Sequence, residues 1–242
     1  MEDINKQYSA PSKLPPPPLA PVAFLSDELK VAFYKKTYSH VAGGVLVFFI
    51  AEFILLQSNV IVEFMLSMTQ GWRWLIMLGG YMFMTNYAES SAMKTKDKNK
   101  QYIAYGIFIL AEAIIFIPLI YIVNYSGGIE IFNQAAIATL SLFTGLTAVA
   151  FFTRKDFSFL KSALTIGFFI AIGLIFAGIL FGFDLGLWFS AGMSLLAAGA
   201  ILYQTSNLIK NYNKEQYIPA AIGLFASLML LFWYILNIFS RD

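Results

Sequence analysis

Long apolar runs separated by short polar breaks set the pattern of this chain. Seven runs, at 34–56, 72–91, 102–123, 134–152, 160–183, 187–209 and 218–239, are each close to the length of a membrane span. A helix rising about 1.5 Å per residue needs roughly 20 apolar residues to cross a hydrocarbon core about 30 Å thick. The pattern predicts an all-α, polytopic membrane protein with seven transmembrane helices. The first run follows some thirty polar and proline-rich residues and has no small-residue cleavage site after it. It therefore reads as a retained span rather than a cleaved signal.

The polar breaks fix an orientation. Lys6, Lys13, Lys30, Lys35 and Lys36 precede the first run; Lys94, Lys96, Lys98 and Lys100 separate the second and third; Arg154, Lys155 and Lys161 separate the fourth and fifth; Lys210 and Lys214 separate the sixth and seventh. Alternate breaks thus carry 14 of the 16 basic residues, leaving Arg73 and Arg241 for the opposite side. Because basic loops stay in the cytoplasm, the amino terminus is expected inside and the carboxyl terminus outside.

Composition agrees with this reading. Hydrophobic residues make up 59% of the chain and charged residues 12%, and the mean hydropathy is +0.69, which excludes a soluble globular domain. A net charge of +2 marks topology and contact with anionic headgroups, not nucleic acid. With no cysteine and a single histidine, His40, there is no basis for disulfides, thiolate chemistry or a histidine-rich metal site. Neither a phosphate-binding glycine loop, a nucleophile elbow nor a zinc-protease motif occurs, so no cofactor and no enzymatic activity are expected.

Residues 1–27 form a separate compositional unit that holds six of the eight prolines. Pro15, Pro16, Pro17 and Pro18 favour extended polyproline II. The unit is either a solvated linker or a handle for a cytoplasmic partner. The remainder, 28–242, is the membrane domain.

Polar residues inside the runs are the candidate functional groups, since they are costly in hydrocarbon. The segment GAILYQTSNLI (199–209) places Gln204, two hydroxyls and a tyrosine at the inner end of the sixth run. Glu112 falls near the middle of the third, where a charged carboxylate costs about 2.5 kcal/mol or more. It is expected to be protonated or hydrogen-bonded within the bundle, or to serve a proton or cation path. Glu52, in the outer half of the first run, reads as a snorkelling carboxylate. Asn86 and Glu89, three residues apart, share one helix face. Glu89, Gln204 and, above them, Glu112 could form one polar cluster. Gly178, Gly182 and Gly186, like Ser190, Ser194 and Ala198, repeat every fourth residue and read as close-packing positions. The tryptophans suit interfacial belts. His40 is expected at the inner interface. In TRKDFS (153–158), Thr153 ends the fourth run and Asp156 or Ser158 is expected to cap the fifth helix.

TRKDFSFLKSAL (153–164), GAILYQTSNLI (199–209) and the closing SRD (240–242), with YKKTY (34–38) before the first run, resemble the YccA-type branch of the Bax inhibitor-1 family of seven-span proteins. The resemblance is continuous from about 135 to 242 and implies a Bax inhibitor-1-like bundle in a bacterial inner membrane. Many members of that family resemble a pH-sensitive calcium leak whose sensor is a facing pair of aspartates in spans six and seven. Those positions match Gln204 and Leu231, neither of which ionises, so the proton-sharing pair is missing. Glu112, in FILAEAIIFIP (108–118), keeps the family's span-three glutamate, although Ala113 and Ile117 replace neighbouring glycines. YccA-like members associate with the membrane AAA+ protease FtsH and its HflK/HflC scaffold. The resemblance thus implies a modulator or slow substrate of such a protease, engaged through the tail. The alternative is a calcium or cation leak using Glu112, Glu89 and Glu52.

Overall fold

The computed structural model describes residues 20–126, 128–153 and 155–241; Pro15, Pro16, Pro17 and Pro18 lie outside the described residues. Among the described residues the chain forms eight α-helices: α1 (Asp27–Leu55), α2 (Asn59–Met68), α3 (Trp72–Lys94), α4 (Lys98–Ser126), α5 (Gly128–Thr153), α6 (Leu160–Phe181), α7 (Gly186–Lys210) and α8 (Tyr217–Phe239). Each of the seven predicted runs coincides with one long helix, α1 or α3–α8. Six of these are long and apolar enough to cross a membrane. The seventh, α3, has the length at 23 residues but interrupts its apolar run with Asn86 and Glu89. Helix α2 was not predicted, because ten residues are too few for a span. Ser58 caps it by accepting from the Ile61 amide at 3.5 Å, and Val62 and Met65 bury against Ile117.

Helix α8 is the centre of the bundle and packs on α7, α1, α5, α4 and α3. It is apolar all round, as a helix surrounded by others must be. Small residues at Ala220, Ala221 and Gly223 admit neighbours closely along its first half, and packing of this kind, rather than hydrophobic exclusion, holds helices together in lipid. Aromatic rings fill its C-terminal half. Phe116 of α4 stacks on Phe232 with centroids 5.8 Å apart and meets Trp233 edge-on at 4.9 Å, and Phe48 of α1 reaches Phe116 at 5.1 Å. Helix α6, by contrast, packs on α7 and turns most of its surface outward.

Contacts at one end of the bundle bring the lysine-bearing segments together. Lys98 pairs with Glu215 at 3.5 Å, and Lys36 and Lys98 lie over the Tyr217 ring at 4.6 and 4.3 Å. His40 sits at this end, its ring nitrogens 2.7 Å from the Lys36 carbonyl oxygen and 2.9 Å from the Tyr102 hydroxyl. A single 3-10 turn, Val22–Phe24, docks the chain before α1 onto the α7–α8 connection: Val22 is fully buried and its amide donates to the Tyr212 carbonyl at 2.7 Å.

Two local expectations are corrected. Asp156 and Ser158 do not cap α6, whose N-cap position is Phe159 with no side-chain hydrogen bond. The Leu160 and Lys161 amides are taken instead by the Phe157 and Ser158 carbonyls. Asp156 accepts from the Ser158 hydroxyl and amide at 2.6 and 2.9 Å and pairs with Lys210 at 3.2 Å; these Ser158 bonds, before Lys210, hold its carboxyl down at about 2. The Gly178–Gly182–Gly186 repeat is not one packing stripe either. Gly182 and Gly186 adopt left-handed φ of 71° and 69° in the turn between α6 and α7, a conformation that glycine enters without strain.

Candidate functional site

Asn86 and Glu89 of α3 and Gln204 of α7 line one cavity. It encloses about 380 Å³ among α3, α4, α6, α7 and α8, and Thr85, Asn86, Glu89, Gln204 and Ser227 all border it. Asn86 and Glu89 reach it together because three residues bring the chain nearly once around the helix. Gln204 reaches it over Gly223: a Cβ on that glycine would lie 2.9–3.0 Å from the Gln204 amide atoms. The amide therefore occupies space that only the missing side chain leaves open.

Glu112 lies in an adjoining cavity of about 100 Å³. It is 3% exposed, and the Tyr81 hydroxyl donates to its Oε1 at 2.7 Å. Of the two readings of this carboxyl, the hydrogen-bonded one has its donor identified. Leu78, Tyr81 and Leu230 form a common wall with the larger cavity.

A third cavity of about 320 Å³ continues to the far end of the bundle and ends at Asp184 and Arg241. Trp74 and Trp233, stacked 6.3 Å apart, separate it from the Glu112 cavity, and Ile175 and Tyr234 border all three spaces. Arg241 donates to both oxygens of Asp184, at 2.9 and 3.3 Å, and to Asn237 at 3.2 Å. Ser190 donates to the same Asn237 oxygen at 2.9 Å. The Arg241 hydrogen bonds, assisted by the Gly186 amide, hold the Asp184 carboxyl below its usual range, and the same pairing raises Arg241. Sequence reasoning missed this pair. The available signal was a lone aspartate in a four-residue turn on the side where only two basic residues lie.

Two candidates stand apart. Glu52 does not snorkel: it is 3% exposed, faces the bundle with Phe48 and Gly44 on the buried stripe of α1, and neither carboxyl oxygen has a hydrogen-bond partner among the described residues. It borders none of the three cavities. Leu231 does not face Gln204. It lies eight residues beyond Gly223 on α8, about 12 Å along the axis, buried in the aromatic half of the core. The α8 residue against the Gln204 amide is Gly223, which does not ionise.

A helical bundle of membrane-span length with a series of partly polar cavities among its helices defines a polytopic membrane protein. The chain belongs to the Bax inhibitor-1 family: the family model described as "Inhibitor of apoptosis-promoting Bax1" matches residues 30–242. It is 39% identical over 116 residues to an uncharacterized protein of Pseudomonas aeruginosa, covering 48% of this chain and about half, 51%, of that protein. It is 31% identical over 172 residues to the Escherichia coli protein named "Modulator of FtsH protease YccA", covering 69% of this chain and 75% of that one. It is 34% identical over 117 residues to "Protein LIFEGUARD 4" of Arabidopsis thaliana, covering 46% and 47%.

Proposed function

We propose that this protein is a non-enzymatic, seven-span modulator of an FtsH-type membrane AAA+ protease in a bacterial inner membrane, with its amino terminus in the cytoplasm. The observation that carries this reading is its likeness, along more than two thirds of its length, to the E. coli FtsH modulator. The tail, with Pro15, Pro16, Pro17 and Pro18, is the segment that the protease and its HflK/HflC-type scaffold engage. It enters the bundle at the lysine-bearing end, where Val22 is docked on the α7–α8 connection. Proline-rich sequence favours a stiff extended spacer, and the firm docking of Val22 suits a modulator or a slowly processed substrate.

Affinity purification of full-length protein and of a form lacking residues 1–19, with captured proteins identified by mass spectrometry, tests the reading. FtsH-type protease is expected with the full-length form and at background with the truncated one. Equal recovery would move the contact to the helices, and recovery from neither would remove the protease from the reading. A periplasmic alkaline phosphatase fused after Asp242 is expected to be active; activity only of a cytoplasmic reporter at that point would reverse the orientation.

The chain of cavities favours a second reading, a cation leak. Together the three spaces extend from Glu89 and Gln204 past Glu112 to the Asp184–Arg241 pair. In reconstituted vesicles, Glu112→Gln should change any cation flux that follows this route, and an unchanged flux would remove Glu112 from it.

A further inference from the structure

A fourth cavity, of about 480 Å³, opens at the lysine-bearing end between the start of α1 and the ends of α5 and α7. Lys30, Lys155 and Lys210 converge on it from three different segments, while Asp27 is the only carboxylate in its lining among the described residues. Lys155 makes no ion pair among the described residues. Lys30 and Lys210 do, with Asp27 and Asp156 at 3.2 Å each, but those carboxylates are 96% and 58% exposed. Pairs so open to water contribute little and exchange partners readily. Ser206, in the cavity wall, accepts from the Phe157 amide at 3.2 Å, which leaves its own hydroxyl proton free to donate.

The surroundings suit a lipid better than a free anion. One turn deeper along the same three helices, the Tyr38 hydroxyl lies beside those of Thr147 and Thr205. All three are buried and lack a well-formed hydrogen bond among the described residues. In a phospholipid the ester carbonyls, which accept hydrogen bonds, sit below the phosphate by a comparable step. From there inward α1 and α5 meet through rings, Tyr38 on Phe143 at 6.4 Å and Phe49 on Phe132 at 5.8 Å. Deeper than the hydroxyls on the same two helices, Leu46 and Leu142 face outward, an apolar surface against which an acyl chain can lie.

We propose that this cavity binds the phosphate of an anionic phospholipid, with Lys30, Lys155, Lys210 and Ser206 around the phosphate oxygens. Basic pockets between membrane helices recognise anionic headgroups in this way. The site is independent of the protease reading, since the proposed ligands Lys30, Lys155, Lys210 and Ser206 all lie outside the tail.

Native mass spectrometry of the full-length protein, purified in neutral detergent and titrated with dioleoylphosphatidylglycerol or dioleoylphosphatidylcholine, tests the proposal. One phosphatidylglycerol should be retained in preference to phosphatidylcholine. Losing about fivefold in affinity per lysine near an anionic headgroup, the Lys30→Gln/Lys155→Gln/Lys210→Gln protein should bind it at least tenfold more weakly. The Lys35→Gln/Lys36→Gln/Lys214→Gln protein, with the same change in net charge, should bind it as the parent does. Equal weakening in both triple variants, or no preference between the lipids, would overturn the proposal. If inorganic phosphate displaces the lipid, or raises the thermal midpoint as the lipid does, the site belongs to soluble phosphate and the lipid assignment fails. Should the first triple variant not elute as a single species, Lys155→Gln alone, which breaks no ion pair, is read in its place and must weaken retention by about fivefold.

Discussion

Gly44→Ala is expected to destabilise the bundle strongly, while Gly43→Ala, one residue earlier, leaves it unharmed. A Cβ on Gly44 would overlap the Tyr105 hydroxyl and lie 2.9 Å from its Cζ and 3.3 Å from the Phe225 ring, whereas a Cβ on Gly43 meets nothing within 4 Å. Tyr105 cannot simply turn away: its hydroxyl donates to the His40 carbonyl at 2.9 Å, and its ring packs edge-on to Phe225 at 6.0 Å. Overpacking a site of this kind costs about 1–3 kcal/mol, and losing the hydrogen bond adds roughly 0.5–1.5 kcal/mol. Gly43→Ala should be neutral or slightly stabilising, since alanine exceeds glycine in helix propensity by up to about 1 kcal/mol. Thermal unfolding of the purified variants in one mild detergent reads the difference. Tyr105→Phe should recover part of the Gly44→Ala loss by removing the overlapping oxygen; equal stability of the two alanine variants would refute the close approach of α1 to α4.

The same pair of glycines shows what the sequence could and could not carry. That residues 34–56 form a helix follows from length and hydropathy alone, which is why all seven long helices lie where the apolar runs predict them. Which face of that helix turns inward does not follow, because a span is apolar on its lipid side as well as on its core side. Gly43 and Gly44 are indistinguishable in sequence and opposite in surroundings. The same blindness made Glu52 look like an interfacial carboxylate when it faces the core. It left open whether Asn86, Glu89 and Gln204 converge, which the packing of α3, α7 and α8 answers by lining one cavity with all three.

Other differences have other causes. Leu231 was placed opposite Gln204 by its position in a pattern, and a pattern does not register one helix against another. The contact itself is with Gly223, a residue whose only sequence signature is the absence of a side chain. Asp184 and Arg241 are 57 positions apart and meet only because the α6–α7 turn and the end of α8 share one end of the bundle. The α6 cap failed for a local reason: Asp156 is held by Ser158 and Lys210 three residues before the N-cap position, Phe159. Helix α2 escaped notice because the criterion that finds spans rejects anything too short to be one.

The hydrogen bond between Tyr81 and Glu112 should behave in mutation as a coupled pair. Glu112→Leu removes the acceptor and leaves the Tyr81 hydroxyl between α3 and α4 without one, a loss of about 1–3 kcal/mol for a stranded buried group. Tyr81→Phe removes the donor and leaves the carboxyl oxygen at the edge of a cavity of about 100 Å³ without its 2.7 Å partner, with a penalty of similar size. The double variant Tyr81→Phe/Glu112→Leu strands neither group. Because replacing both members of a buried pair with apolar groups is often nearly neutral, it should be more stable than either single variant. Thermal unfolding of the four proteins closes the cycle, and simple additivity of the two losses would show that the hydrogen bond does not couple α3 to α4. The cycle also separates the two functional readings. If Glu112 serves only to join the helices, the double variant should capture the FtsH-type protease and pass cations as the parent does. If Glu112 lies on an ion route, the double variant should regain stability while its cation flux stays altered.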